Sequence, residues 1–190
     1  WHEEGGNASL RKYWRAAGRR VLVPMCGKTV DMLWLEDQGN SVVGVELSDI
    51  AARAFFEENG LRYTVREGKL SAYVATDRDI SIYCGDLFEF DERGHTGWYD
   101  RGALVATPAE QRPAYAKHID ALLAPDACRL LITLDYDDNI ATGPPFSISR
   151  EEIRRYWPDL REVDRYDDIE NGPPKFRDAG LKEMYETVWL

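Results

Sequence analysis

From Arg20 onward, short runs of aliphatic and β-branched residues alternate with stretches whose apolar positions recur every three to four residues. That alternation predicts an α/β fold built on a mostly parallel sheet. "RVLVPMC" carries no polar alternation, so it reads as a strand buried on both faces. Residues 29–38 follow as a helix with Val30, Leu33, Trp34 and Asp37 on one side, stopped by Gly39. "SVVGVE" is the second strand, and the next helix is capped by Ser48, has Asp49 in its first turn, turns Ile50, Ala54 and Phe55 inward, and ends at Gly60. "ISIYCGD" is a further strand. Thr107, Pro108 and Glu110 resemble a capping box with proline at the first helical position, which predicts a helix to about Leu123. "CRLLITLDY" is a strand, and Ser149 with Glu152 opens the last clear helix. Residues 161–166 and 181–190 are weaker strands with no long crossover between them, so they are expected to form an antiparallel pair at the sheet edge. The pattern as a whole predicts a doubly wound, mostly parallel, seven-stranded sheet with an antiparallel C-terminal edge. No internal repeat or low-complexity linker interrupts it.

Length and charge narrow the function classes. A chain of 190 residues is expected to form one domain, 1–190, with a core large enough to need no disulfide. Cys26, Cys84 and Cys128 are scattered and odd in number, which fits a reducing cytoplasm. No apolar run reaches the roughly 18 residues of a membrane span, and "WHEEGG" does not read as a signal peptide. The missing initiating Met points to trimmed ends. A formal charge of −10 argues against nucleic acid or an anionic membrane as the main partner and leaves a small molecule.

Two familiar readings of "CGKT" fail. A phosphate-cradling loop needs a glycine five positions before Gly27, but Leu22 stands there, and Pro24 removes another N–H donor. Cys26 has no partner at redox spacing, so it reads as a small apolar residue at a strand end. The loop "PMCGKT" is better placed for a ligand outside the carboxyl end of its strand, where Gly27 permits close backbone approach. Glu46 lies 19 residues beyond Gly27, at the end of the second strand, where a carboxylate accepts from both hydroxyls of a ribose. A dinucleotide fingerprint has three glycines and this loop has one, so adenosine without a pyrophosphate fits better: S-adenosylmethionine rather than NAD. In "YCGDLFEF", Asp86 beside Leu87 and Phe88 suits an adenine, although the same aspartate also reads as the cap of a short helix.

With these segments in order, the chain resembles the thiopurine S-methyltransferase family. The resemblance rests on "VLVPMCGKTVDMLWLEDQGNSVVGVELS", "YCGDLFEF", "DRGALVA", "GPPFSIS" and an aromatic last strand, and runs over nearly all of residues 7–190. It implies a Rossmann-like class I methyltransferase that passes the sulfonium methyl of S-adenosylmethionine to a thiol or related soft nucleophile, leaving S-adenosylhomocysteine. It further implies that Met25 meets the cofactor through its backbone, that Gly27 and Glu46 hold the adenosine, and that Asp86 and Leu87 border the adenine. Arg101 would reach the cofactor or acceptor pocket, with Asp100 assisting a less acidic acceptor. Trp1 would belong to an N-terminal covering segment, residues 1–19, which looks incomplete: Glu3 runs directly into Glu4 where relatives carry about a dozen more residues. The strand before Asp100, "HTGWYD", is also shorter than usual, and Met25 replaces a leucine of similar volume.

The chemistry expected is in-line displacement, for which orientation supplies much of the acceleration. An ionised aromatic thiol needs no strong base, and the sequence offers none: His2 is terminal, His95 is placed in a polar loop, and His118 on a helix surface. Lys175 and Arg177 read mainly as surface charge. No metal is expected. The acceptor is a small thiol, such as a thiopurine, or a selenium or tellurium compound, and the protein is expected to be a cytoplasmic monomer. An NAD-dependent oxidoreductase and a non-catalytic adenosine-binding module are the rival classes.

Overall fold

The computed structural model describes residues 5–190. Trp1 and His2 therefore lie outside the described residues. The chain packs into two compact units, one running through Tyr99 and including Ala121–Cys128, the other made of Asp100–Asp120 and Arg129–Leu190. Among the described residues the strands number nine, not the expected seven.

In the first unit, α1 (Ala8–Tyr13) precedes β1 (Arg20–Pro24), α2 (Asp31–Asp37), β2 (Ser41–Glu46) and α3 (Asp49–Glu58). Then come β3 (Tyr63–Arg66), β4 (Ser71–Ala75), β5 (Ile80–Cys84) and β6 (His95–Asp100). The strand order is β3-β4-β5-β2-β1-β6, in which β5, β2, β1 and β6 run parallel while β3 and β4 form an antiparallel hairpin at the edge. Those two strands account for the miscount. In β3 only Tyr63 is half-buried and the next three residues are exposed, so no apolar alternation announces it.

β1 and β2 match their predicted runs because Val21, Leu22, Val42, Val43 and Val45 are buried as an aliphatic centre. The helix faces are less well predicted. α2 turns Asp31, Met32 and Leu35 inward, while Leu33 and Trp34 are only half-buried and Asp37 is exposed. Asp31 is the reason: its carboxylate accepts from the Asn7 backbone N–H at 2.7 Å and from the Tyr99 hydroxyl at 2.8 Å, so a charged residue takes the place expected of an aliphatic one. In α3 the inward residues are Ala52, Phe55 and Phe56, and Ile50 is 81 % exposed. Ser48 caps this helix as expected, accepting from the Ala51 N–H at 3.3 Å. His95 corrects a third expectation, since it lies within β6 at 0 % exposure rather than in a polar loop.

The second unit contains α4 (Ala103–Ala106), most of α5 (Arg112–Leu122), much of β7 (Leu123–Asp135), α6 (Arg150–Tyr156), β8 (Glu162–Asp167), α7 (Pro174–Asp178) and β9 (Tyr185–Trp189). The order β7-β9-β8 is antiparallel, as the C-terminal edge predicts. Ser149 caps α6 through the Glu152 N–H at 3.1 Å. Thr107 does not open α5. Its hydroxyl donates to the Ala103 carbonyl at 2.8 Å and closes α4, and α5 begins only at Arg112, after a turn from the Pro108 carbonyl to the Gln111 N–H. A threonine followed by proline serves a helix end as readily as a helix start. Among the described residues no helix is long and apolar enough to cross a membrane.

Candidate active site

The first unit offers a row of strand ends. β1 runs into Met25, whose φ of 45° is the only positive value at a non-glycine among the described residues. Holding a side chain there costs roughly 1–3 kcal/mol, a strain that concentrates at ligand-binding turns. Gly27 follows with φ 54° and open space where a Cβ would stand. Its N–H donates to Glu46 Oε2 at 2.8 Å, while the Ser48 N–H donates to Glu46 Oε1 at 2.8 Å. Glu46 thus ties the loop after β1 to the turn after β2. A carboxylate accepts about four hydrogen bonds, so two positions remain for a vicinal diol.

Cys26 is buried, and its thiol is pushed well above the usual range, first by burial and then by the Glu46 charge. A Cβ on Gly44 would lie 2.6 Å from Cys26 Sγ and 3.0 Å from Met32 Sδ, so the cysteine is a packing residue against a glycine that leaves it room. Lys28 pairs with Glu58 at 2.7 Å, engaged away from any phosphate role.

Asp86 accepts from the Phe88 N–H at 2.9 Å and caps the 3-10 turn Leu87–Glu89, which is the alternative its sequence context left open. Leu87 is 4 % exposed, so it belongs to the core and presents almost nothing to solvent. The apolar groups on this surface are instead Leu47 at 74 % exposure and Phe88 at 42 %. Sequence reasoning passed over Leu47, although an aliphatic residue directly after a strand-end acid is itself a signal. Cys84, at the end of β5, has its thiol raised by burial and then by Asp49 and Glu46.

The second unit holds Asp100 and Arg101. Asp100 is 2 % exposed and accepts from the Ala103 N–H at 2.9 Å, the Leu104 N–H at 3.3 Å and the Tyr115 hydroxyl at 2.6 Å. Burial pushes its carboxyl up to about 6, against the pull of those hydrogen bonds. Its geometry is that of an anchor for the first turn of α4. Arg101 lines a cavity of about 330 Å³ with Ile132, Leu134, Asp168, Met184 and Glu186. Lys175 and Arg177 do not border it: Lys175 donates to the Pro144 carbonyl at 2.7 Å, and Arg177 to those of Ile169 and Glu170 at 2.6 and 2.8 Å. His118 is half-exposed on α5.

The S-adenosylmethionine-dependent methyltransferases of the Rossmann-like class are one group of proteins built on such a parallel sheet with a part-open carboxylate at the end of its second strand. Solved structures bear this out at the level of fold. The methyltransferase from Methanosarcina mazei superposes with a TM-score of 0.64 at 13 % identity, covering 96 % of each chain. A TehB-like methyltransferase from Corynebacterium glutamicum gives 0.56 at 14 %, covering 96 % of this chain and 85 % of the other. A Burkholderia thailandensis N-methyltransferase, solved with S-adenosylhomocysteine bound, gives 0.58 at 17 %, covering 91 % and 71 %.

The family model for thiopurine S-methyltransferase matches residues 1–190, and the chain belongs to that family. The thiopurine S-methyltransferase of Bordetella petrii is 45 % identical over 199 residues, spanning all of this chain and 90 % of that protein. That of Pseudomonas syringae pv. syringae is 41 % identical over 201 residues with the same coverage. The chain is therefore an S-adenosylmethionine-dependent methyltransferase, and the oxidoreductase and non-catalytic readings fall away.

Proposed function

We propose that this enzyme transfers the methyl group of S-adenosylmethionine to the sulfur of a small aromatic or heterocyclic thiol, such as a thiopurine, and to selenium or tellurium compounds of the same soft character. The observation that carries the reading is the cavity beside Arg101: apolar walls from Ile132, Leu134 and Met184 suit a flat ring, and a guanidinium suits an electron-rich sulfur. The names of the relatives point the same way.

In this reading Glu46 holds the ribose hydroxyls, the Met25 and Gly27 backbone lies along the cofactor, and Asp86, Leu87 and Leu47 border the adenine. Arg101 orients the acceptor, and Asp100 acts by fixing the turn from which Arg101 projects. Trp1 keeps its proposed covering role, outside the described residues. The sulfonium loses its charge as the acceptor sulfur attacks in line, so an acceptor that is already ionised needs orientation more than a base. We place the enzyme in the cytoplasm as a monomer comprising one methyltransferase domain.

The test is a panel of aromatic thiols, selenite and tellurite with labelled cofactor, read as methylated product by mass spectrometry. Product from aromatic thiols is expected. Arg101→Lys keeps the charge but loses the planar donor fork, so it should lower kcat/KM most for ionised acceptors at an unchanged melting temperature. Cofactor binding with no product from any thiol would overturn the reading.

A further inference from the structure

The cavity beside Arg101 is uneven in its polar groups. Against one guanidinium it sets two carboxylates, Asp168 and Glu186, together with the Asn171 amide. Glu186 is 4 % exposed and accepts from the Tyr166 hydroxyl. Asp168 is differently placed. It is half-buried, its own N–H donates to the Met184 carbonyl at 2.7 Å, and its carbonyl accepts from the Asn171 and Gly172 N–H groups at 3.1 and 3.0 Å. Its side chain accepts from Asn171 Nδ2 at 2.7 Å through Oδ1. The backbone and one carboxylate oxygen are thereby fixed. Oδ2 is left with acceptor capacity, and with Nδ2 committed to Asp168, the Asn171 side chain has its carbonyl oxygen to offer.

Gly172 leaves room for the Met184 side chain, whose Cε would stand 2.6 Å from a Cβ placed there. A wall that offers acceptors is complemented by a ligand that brings donors, and an acceptor left unmatched in an apolar cavity costs binding.

We propose that Asp168 accepts the ring N–H of a heterocyclic thione acceptor and takes that proton as the sulfur is methylated. This rests on the thiol methyltransferase reading above. A thione differs from a thiolate in carrying its proton on nitrogen. As the acceptor sulfur forms its bond to the methyl carbon, the bond from that carbon to the cofactor sulfonium breaks, and the electron pair neutralises the sulfonium. The methylated ring is left cationic, its N–H becomes strongly acidic, and an ordinary carboxylate suffices to receive the proton. Product leaves neutral, and Asp168 returns the proton to water.

The experiment compares ortho-mercaptopyridine, its N-methyl thione and thiophenol as acceptors for the wild-type enzyme and for Asp168→Asn, with cofactor affinity from calorimetry and melting temperature alongside. Asp168→Asn should lower kcat/KM for ortho-mercaptopyridine by about 10–100-fold, the scale of a hydrogen bond to a charged group. For thiophenol the change should stay within about 2-fold, with cofactor affinity unaltered. In the wild type, the N-methyl thione should be poorer than ortho-mercaptopyridine by a similar factor, a comparison that no folding defect can confound. Equal losses for ortho-mercaptopyridine and thiophenol, or none for either, would overturn the role of Asp168 while leaving thiol methylation standing. Failure of the wild type to methylate any of the three would instead count against the function itself.

Discussion

Glu46 and Asp100 are both carboxylates at the ends of parallel strands, and their sequence contexts nominate both for the site. Their surroundings separate them. Glu46 is half-buried, and the two backbone N–H groups it accepts leave part of its capacity open. Asp100 is buried and filled by four donors, the Gly102, Ala103 and Leu104 N–H groups and the Tyr115 hydroxyl. A strand-end acid thus serves a ligand when its lone pairs outnumber its protein partners and serves the fold when they do not.

The sharpest way to break this contrast is Asp100→Ala, which removes from the interior the acceptor shared by the Tyr115 hydroxyl and the Gly102, Ala103 and Leu104 N–H groups. It should cost about 3–5 kcal/mol of unfolding free energy by urea titration. A loss under about 1 kcal/mol would return Asp100 to the candidate catalytic residues.

The second test uses pH. Burial raises the Asp100 carboxyl from 3.8 to about 6, so the folded state holds its proton more tightly and this group's contribution to stability is lost as pH rises through that window. His95 works oppositely. Burial lowers it from 6.5 to about 4, so its contribution is present above 6.5 and is lost as pH falls. Each is worth up to about 3 kcal/mol, and in the wild type they largely cancel between pH values of about 4 and 6. Asp100→Asn should remove one side, so that stability rises steeply with pH across that window. An unchanged pH profile would show that Asp100 is not the titrating group.

Glu46→Ala should act on the ligand rather than the fold, weakening S-adenosylmethionine by about 1–3 kcal/mol in calorimetry. The smallest effect belongs to Met25→Gly. Relief of the positive φ should raise stability, net of the added chain freedom, by no more than about 1 kcal/mol. A loss would mean that the Met25 side chain, 38 % exposed, does more packing than its exposure indicates.

The same contrast explains what was readable in the sequence. β2 was legible to its boundaries because a valine-rich run buried on both faces permits no other register. Ser48 and Ser149 were legible because capping is local. The β3–β4 hairpin was not, since its register comes from pairing with β5 and β3 has almost no buried residue of its own. The inward face of α2 was misjudged because Asp31 is buried by partners distant in sequence, Asn7 and Tyr99. The position of Glu46 was readable from a 19-residue spacing, but the burial of Asp100 depends on Tyr115, which no local motif announces. His95 was misplaced for a similar reason: polar neighbours in sequence say little about a residue that tertiary packing encloses.

The clamp on Glu46 also bears on how the cofactor arrives. With both carboxylate oxygens held by N–H groups from separate loops, the side chain has already given up its rotameric freedom in the empty protein. On the proposed reading of Glu46 as the ribose residue, docking of the ribose immobilises little that is not already still, and the affinity it generates is not diluted by ordering. Loosening either loop without touching a single ligand contact should therefore show up as an entropic penalty on binding, with the enthalpy nearly intact.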